Sequence, residues 1–400
     1  MNSQTHIFTS ITSNYIPKAR VLANSLKKFH GDFTFHLVLC DKVPEGFDID
    51  SEPFDNILLV EELPISEVKS WIFRHTIVEL CTGVKGLVFE ELFQTYKAEK
   101  VFFFDPDILV LSDLNYLLNA LDTSSILLTP HQISPDKTPE AIVDNEICSL
   151  KHGVYNLGFL GVRNTETGLA FVKWWAERLY LFCYDNKPLG LFTDQRWVDL
   201  APAFFDDIHI IREPHFNVAT WNLSHRTATG SLENGIFVNG KPLCFYHFSG
   251  FDSGDQEIML KKYGNHSPVL FQLRKDYIRQ CKELGQEAFG KLKCVYSYFD
   301  DGTPISYRQR MLYRSREDLQ EAYPDPYSVA DADNSYKRWC ELTGETLAPG
   351  IDTQVETVEA LKNHLMQTYG ELAYIKNSKT WRWMQAIRRL LGKEPMRYSG

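Results

Sequence analysis

The stretch Lys100-Val101-Phe102-Phe103-Phe104-Asp105-Pro106-Asp107 sets two short carboxylates two residues apart at the end of an apolar, aromatic run. Pro106 between them fixes φ and removes a backbone donor, so the pair leaves the run stiffly held. Two carboxylates held in this way make an oxygen-donor site for a hard divalent cation, which usually serves a substrate phosphate. A strand-end turn in which Asp caps backbone groups has the same local sequence. His247 closes a second aromatic run, Leu243-Cys244-Phe245-Tyr246-His247, just before Phe248-Ser249-Gly250. Imidazole added to two carboxylates completes a donor set that Mn2+ accepts, although a histidine in such a run also occurs as a hydrogen-bonded core residue. In Thr193-Asp194-Gln195-Arg196-Trp197 a carboxylate, an amide and a guanidinium fall together before an apolar segment. The alternative there is a helix N-cap by Thr193 or Asp194. Lys85 follows Thr82-Gly83-Val84, where a break in a helix presents a cation towards the carboxylates or leaves it solvated.

These groups need a scaffold that delivers them to one place. The apolar run at residues 100–104 fits a strand buried on both faces of a mostly parallel sheet, which puts Asp105 and Asp107 at its carboxyl end. In open α/β sheets, ligands bind in the crevice beyond those ends. Further strands are expected at residues 6–11, 33–39, 57–60, 125–129 and 155–164, and another at 243–250. After the first comes Thr12-Ser13-Asn14-Tyr15 and a helix with Pro17 near its start and apolar positions at Ala19, Leu22, Ala23 and Leu26. A strand opening directly into a helix is a usual place for a nucleotide. No GxGxxG or P-loop accompanies it, so neither a Rossmann cofactor site nor an NTPase site is indicated. The strand Tyr155-Asn156-Leu157-Gly158-Phe159-Leu160-Gly161 is interrupted by glycines, which weaken a strand unless something must approach closely. Asn156 beside that gap carries an amide suited to sugar hydroxyls. Residues 136–151 are polar enough to lie over the site as a lid.

Length and composition bound the rest. Four hundred residues, 44% hydrophobic and 13% aromatic, suit a packed enzyme-like chain with one large domain and smaller additions. A net charge of −10 argues against binding nucleic acid. The eight cysteines show no CxxC spacing and are read as mostly buried, reduced thiols of a cytoplasmic protein. The N-terminus lacks the pattern of a signal peptide, and no apolar run approaches transmembrane length. The expected division is a catalytic domain over 1–255, a helical accessory region over 256–345 and a helical tail over 346–400. Trp381, Trp383, Met384, Ile387, Leu390 and Leu391, beside Lys379, Arg382, Arg388, Arg389 and Lys393, suit an anionic membrane surface. They equally suit packing on the chain's own body or on a partner helix. With membrane contact, the location is peripheral on the inner face of the plasma membrane.

Over about residues 6–252 the motifs together resemble a GT-A-fold glycosyltransferase, and most closely the retaining, nucleotide-sugar-dependent family 8. Phe8-Thr9 and Asn14-Tyr15 stand where that family contacts the nucleoside, and Asp105-Pro106-Asp107 matches its DxD motif. Asn156-Leu157-Gly158 resembles its strand beside the donor sugar, Asp194-Gln195 its DQ pair, and His247-Phe248-Ser249-Gly250 its HxxG. The resemblance implies an α/β GT-A architecture, a Rossmann-like, mostly parallel sheet flanked by helices, followed by a C-terminal helical region. It implies Mn2+ or Mg2+ on Asp105, Asp107 and His247, and a nucleotide-sugar donor, UDP-linked with GDP as the alternative, contacted by Thr9, Asn14, Tyr15, Lys85, Asn156, Gly158 and Gly250. Asp194 and Gln195 would line the donor sugar as the catalytic pair, and the acceptor would be a glycan or lipid-linked glycan. The family's lysine just after HxxG has no counterpart in Phe251-Asp252-Ser253-Gly254, so Lys85 is the cation expected to serve the diphosphate from the other side. Proline is also an unusual middle residue for the DxD. The blocks around these motifs are similar to a bacterial subgroup that builds surface polysaccharides. Two other classes use comparable residues. A metal-dependent nucleotidyltransferase should carry a glycine-rich triphosphate loop, which residues 8–15 lack; a non-catalytic carbohydrate-binding protein should have lost one of Asp105, Asp107 and His247.

Overall fold

A computed structural model describes residues 4–331, 333–343 and 383. Seven strands form the central sheet, in the spatial order Ile208–Ile210, Ile126–Pro130, Tyr155–Arg163, Lys100–Phe104, Thr5–Ile11, Thr34–Leu39 and Asn56–Leu59. Pairing is parallel except for Tyr155–Arg163, which runs antiparallel to both of its neighbours. The fold is therefore α/β, a mostly parallel sheet flanked by helices, as expected. The central position of Lys100–Phe104 follows from its composition: Val101 to Phe104 are all fully buried, so apolar side chains are needed on both faces. On one face Phe103 lies 5.1 Å from Phe8; on the other Phe104 meets Phe159 and Phe245 at 5.2 and 5.3 Å between ring centroids.

Helices cover both faces. Ile16–Lys27 follows the first strand, with Pro17 in its first turn, where a missing N–H costs nothing. Lys85–Gln94 and Glu166–Phe182 pack on one another at Gly86, where a Cβ would sit 2.5 Å from the Ala176 Cα. That approach requires glycine, and it fixes the start of the helix that carries Lys85.

The aromatic run expected as a strand over residues 243–250 is shorter, Phe245–His247, and lies outside the central sheet. It pairs antiparallel with Ile108–Val110, the three residues after the Asp-Pro-Asp turn, with His247 opposite Ile108. This small ribbon places His247 next to Asp107. Behind it, Leu109, Tyr246 and Phe248 share an apolar cluster with Leu260, Leu270, Leu273 and Tyr277 of the helices Asp255–Tyr263 and Pro268–Glu283. The Tyr277 and Phe248 rings stack at 3.9 Å.

Residues after 255 are helical over most of their described length, with Tyr307–Ser315 and Glu317–Ala322 following. Chain contacts group the residues up to Trp339 in one unit and those from Cys340 onward in another. The basic-aromatic tail lies outside the described residues, apart from Trp383, which is helical and exposed. Among the described residues no helix is long and apolar enough to cross a membrane. All eight cysteines are free, and five of them are buried.

Candidate metal and donor-sugar site

Asp105 and Asp107 stand at the carboxyl end of the central strand. The turn between them is closed by the Ile108 N–H donating to the Asp105 carbonyl at 3.1 Å. The ribbon brings His247 Nε2 to 3.2 Å from Asp107 Oδ1 and 3.6 Å from Asp105 Oδ2. One ligand atom from each of the three residues lies within 4.8 Å of the others. The donor set is two carboxylate oxygens and an imidazole nitrogen, which suits Mn2+ and tolerates Mg2+ less well because of the nitrogen. His247 is 3% exposed, and its Nδ1 is buried without a partner. The ring's position is enforced from the neighbouring strand. A Cβ at Gly158 would lie 2.3 Å from His247 Cε1, so only glycine leaves room for the imidazole there. The residues present fit a divalent cation.

Charge at this point is balanced among several groups. Burial raises the Asp105 carboxyl; Lys85 and His247 reduce that effect, and the charges of Asp107 and Asp194 add to it. Burial also works to raise Asp107, but the charge and hydrogen bond of His247, together with Lys18, hold it below the ordinary carboxylate range. For His247 burial favours the neutral ring, and the two carboxylates outweigh it and raise the pKa.

Lys85 is the second organising group. It begins the helix Lys85–Gln94 after Ile77–Gly83 ends, and the break turns its side chain inward, where it is 2% exposed. Its ammonium lies 2.8 Å from Asp194 Oδ2, 3.5 Å from Asp105 Oδ1 and 3.1 Å from the Leu157 carbonyl. It also sits 3.9 Å above the Phe103 ring. Burial opposes the charged form, and Asp194 and Asp105 more than offset it, so Lys85 stays a cation. Asp194 precedes the short helix Gln195–Val198, but its side chain makes no cap. Its Oδ2 takes Lys85 and its Oδ1 accepts the Thr193 hydroxyl at 3.0 Å. Thr193 itself holds φ at 45°, a costly conformation for a β-branched residue that the surrounding contacts must impose.

The other residues singled out in the sequence fall into two groups. Asn156 and Gln195 stand beside the site with their amides engaged by the protein. Asn156 Oδ1 accepts the Gly158 N–H at 3.0 Å and Asn217 Nδ2 at 2.9 Å, and its Nδ2 lies 3.1 Å from His131 Nε2. Gln195 Oε1 accepts the Leu157 N–H at 3.0 Å, and Nε2 donates to the His152 carbonyl at 2.9 Å, tying the central sheet to the end of the helix Cys148–His152. Thr9, Asn14 and Tyr15 cluster at the end of the first strand. The Thr9 hydroxyl is buried without a partner, Asn14 Oδ1 accepts Thr12 Oγ1 at 2.7 Å, and Tyr15 donates its hydroxyl to Asp252. Gly250, at φ 73°, begins the turn that carries Asp252.

Sequence reasoning passed over Lys18 and His131; it marked Asn217 and Trp221, within Phe216–Asn222, as a mixture of amides and aromatics suited to sugars. Lys18 is one turn into the first helix, 3% exposed, and paired with Asp252 at 2.5 Å. Asn217 and His131 hold Asn156, and Trp221 packs edge-on against His247 at 5.3 Å. The available signal for Lys18 was its i, i+3 spacing from Tyr15, which puts the two on one helix face.

No family model matches the chain. It is 26% identical over 261 residues to the uncharacterized protein YfnD of Bacillus subtilis (strain 168), covering 62% of this chain and 78% of that protein. It is 26% identical over 174 residues to the uncharacterized protein YfnF of the same organism, covering 43% of this chain; the match spans 57% of YfnF. Among solved structures, it is similar to the galactosyltransferase LgtC in complex with donor and acceptor sugar analogs, with a TM-score of 0.40 and 15% identity over 70% of this chain and 95% of that one. A glycosyltransferase involved in glycosylation of the major capsid of PBCV-1 aligns with a TM-score of 0.35 and 11% identity, covering 64% and 98% of the two chains. Mouse xyloside xylosyltransferase 1 aligns with a TM-score of 0.34 and 12% identity, covering 61% and 97%.

Proposed function

We propose that this chain is a metal-dependent glycosyltransferase that moves a sugar from a nucleoside diphosphate-sugar, UDP-linked, to a glycan or lipid-linked glycan, with retention of configuration. The observation that carries the reading is the convergence of Asp105, Asp107 and His247, from two separate parts of the chain, at the carboxyl edge of a mostly parallel sheet, with the Lys85–Asp194 pair beside them. A Mn2+ or Mg2+ ion on the three ligands would act as the Lewis acid that neutralises charge on the leaving diphosphate. Thr9, Asn14 and the ring of Tyr15 line the nucleoside end, and Asn156, Gly158 and Gly250 shape the walls around the diphosphate and sugar. Lys85 holds Asp194 in place and adds positive charge on the sheet side. Asp194 and Gln195 line the donor sugar as the catalytic pair, held in place by Lys85 and Thr193 on one and by Leu157 and the His152 carbonyl on the other. Both oxygens of Asp194 are engaged, and the residue is 3% exposed, which disfavours it as the general base that an inverting reaction needs. That supports retention, in which the departing phosphate oxygen takes the acceptor proton. Residues 1–255 carry the site in this reading, the helices Asp255–Tyr263 and Pro268–Glu283 brace it, and the tail serves peripheral attachment at the inner membrane face during bacterial surface polysaccharide assembly.

The test is donor hydrolysis across a panel of nucleotide sugars with Mn2+ and then with EDTA, on the wild type and Asp107→Ala. One donor should turn over, and both EDTA and the substitution should abolish it. No hydrolysis and no metal-dependent nucleotide binding with any donor would defeat the reading.

A further inference from the structure

A buried ammonium near the metal ligands has a counter-ion that is not itself buried. Lys18 lies in the first turns of the helix Ile16–Lys27 with its side chain 4% exposed. Aromatic rings wall it in: Tyr15 lies 3.9 Å below the ammonium and Phe251 5.5 Å away. A cation in such a place needs an anion. The one ion pair recorded for it among the described residues is with Asp252, whose side chain is 53% exposed. A single oxygen, Oδ2, accepts from both the Lys18 ammonium and the Tyr15 hydroxyl. Asp252 rides on a surface turn between Gly250 and Gly254, both at positive φ, 73° and 83°. The turn leaves the ribbon three residues after His247. The cation is thus fixed in the helix, and the anion sits on a turn with glycine at each end.

The helix that carries Lys18 packs directly on the metal turn: its Ser25 hydroxyl accepts the Val110 N–H at 3.1 Å, and Phe248, whose N–H donates to the Asp107 carbonyl at 2.9 Å, sets its ring against Phe251 beside the ammonium. A diphosphate carried by a cation on Asp107 would therefore bring anionic oxygens into this neighbourhood. An oxygen that accepts a hydroxyl and an ammonium together is what a phosphate oxygen offers. Resting on the glycosyltransferase reading, we propose that Lys18 and Tyr15 form a diphosphate-binding pair. Asp252 occupies this pair as an internal stand-in, and donor binding displaces it. Asp252 is then a self-competing carboxylate that lowers affinity for donor and for the product nucleotide, which helps product leave.

The experiment is calorimetric binding of UDP and GDP in the presence of Mn2+ to the wild type, Lys18→Met and Asp252→Ala, with thermal unfolding of each. Lys18→Met should weaken binding of the nucleotide that the wild type takes by about 10- to 100-fold, the loss of one hydrogen bond to a charged group. Asp252→Ala should tighten it by about 3- to 5-fold, by freeing the pair from a half-exposed partner. A purely structural ion pair predicts that both substitutions weaken binding. Unchanged or weaker binding by Asp252→Ala would therefore overturn the inference, and this surface substitution decides it even if Lys18→Met does not fold. If the wild type binds neither Mn2+-UDP nor Mn2+-GDP, the glycosyltransferase reading fails and the inference with it. If the wild type binds and Asp252→Ala does not tighten, the inference alone fails.

Discussion

Replacing Lys85 with methionine removes the cation shared by the buried Asp194, the partly exposed Asp105 and the Leu157 carbonyl, and keeps most of the side chain's volume. In the folded protein the ammonium is 2% exposed, 2.8 Å from Asp194 and 3.5 Å from Asp105. Asp194 is 3% exposed and cannot turn to water, so the substitution leaves an uncompensated carboxylate beside a second one. Breaking a buried pair from one side costs about 3–5 kcal/mol. Unfolding entropy for the 339-residue unit is about 0.7 kcal/mol/K at ~2.1 cal/mol/K per residue, so the loss reads as a fall of about 4–7 °C in Tm. Adding Asp194→Asn removes the stranded charge. The double variant should regain most of the loss, with a coupling energy of about 2–3 kcal/mol in a double-mutant cycle. Urea unfolding with the two single variants and the double one measures each term. A loss below about 1 kcal/mol for Lys85→Met, or a double variant whose loss is the sum of the singles, would refute the idea that Lys85 neutralises the buried Asp194 carboxylate.

Two further outcomes follow from the same geometry. Gly158→Ala drives a Cβ to within 2.3 Å of the His247 ring, so Mn2+ affinity should fall at least 10-fold; Gly161→Ala, which crowds Phe102 at 2.9 Å, should cost about 1–3 kcal/mol of stability with Mn2+ affinity unchanged. Equal effects on metal binding would contradict the steric reasoning. The buried His36, 2.8 Å from His6, has its pKa lowered to about 3 by burial and by the charge of His6. Below the ordinary value of 6.5 the unfolded chain takes up a proton that the folded ring refuses, so stability falls as pH drops from 6.5 towards 3. At pH 5 the loss from this ring is about 2 kcal/mol relative to pH 7, and His36→Phe should remove that share of the acid sensitivity in urea titrations. Identical pH slopes for the two proteins would show that His36 carries none of it.

The central strand was legible because a run that must be apolar on both faces has little choice of composition, and the Asp105–Asp107 pair marks where it ends. The direction of Tyr155–Arg163 was not legible. An apolar, glycine-containing run has no polarity written in it, and its antiparallel pairing emerges from the register with Phe104 and Leu128. The glycine gap at Gly158 signalled a close approach, but the approaching group is the His247 ring. Asn156 looked free for sugar hydroxyls in the sequence, whereas Gly158, Asn217 and His131 take up its amide. Lys18 escaped notice because a lysine between Pro17 and Ala19 near a helix start looks solvated. Only the packing of Tyr15 and Phe251 around it buries the charge. Asp252 registered as the absence of a lysine, and its pairing depends on a contact 234 residues away in the chain.

The most direct measurement is a Mn2+ titration followed by electron paramagnetic resonance, with and without UDP or GDP, on the wild type and His247→Ala. The expected result is one bound Mn2+ per chain, held more tightly with nucleotide, and lost or weakened at least 10-fold in the variant. Mn2+ that stays free in the wild type at every nucleotide concentration, or binds equally well without His247, would contradict a metal-borne diphosphate at Asp105, Asp107 and His247.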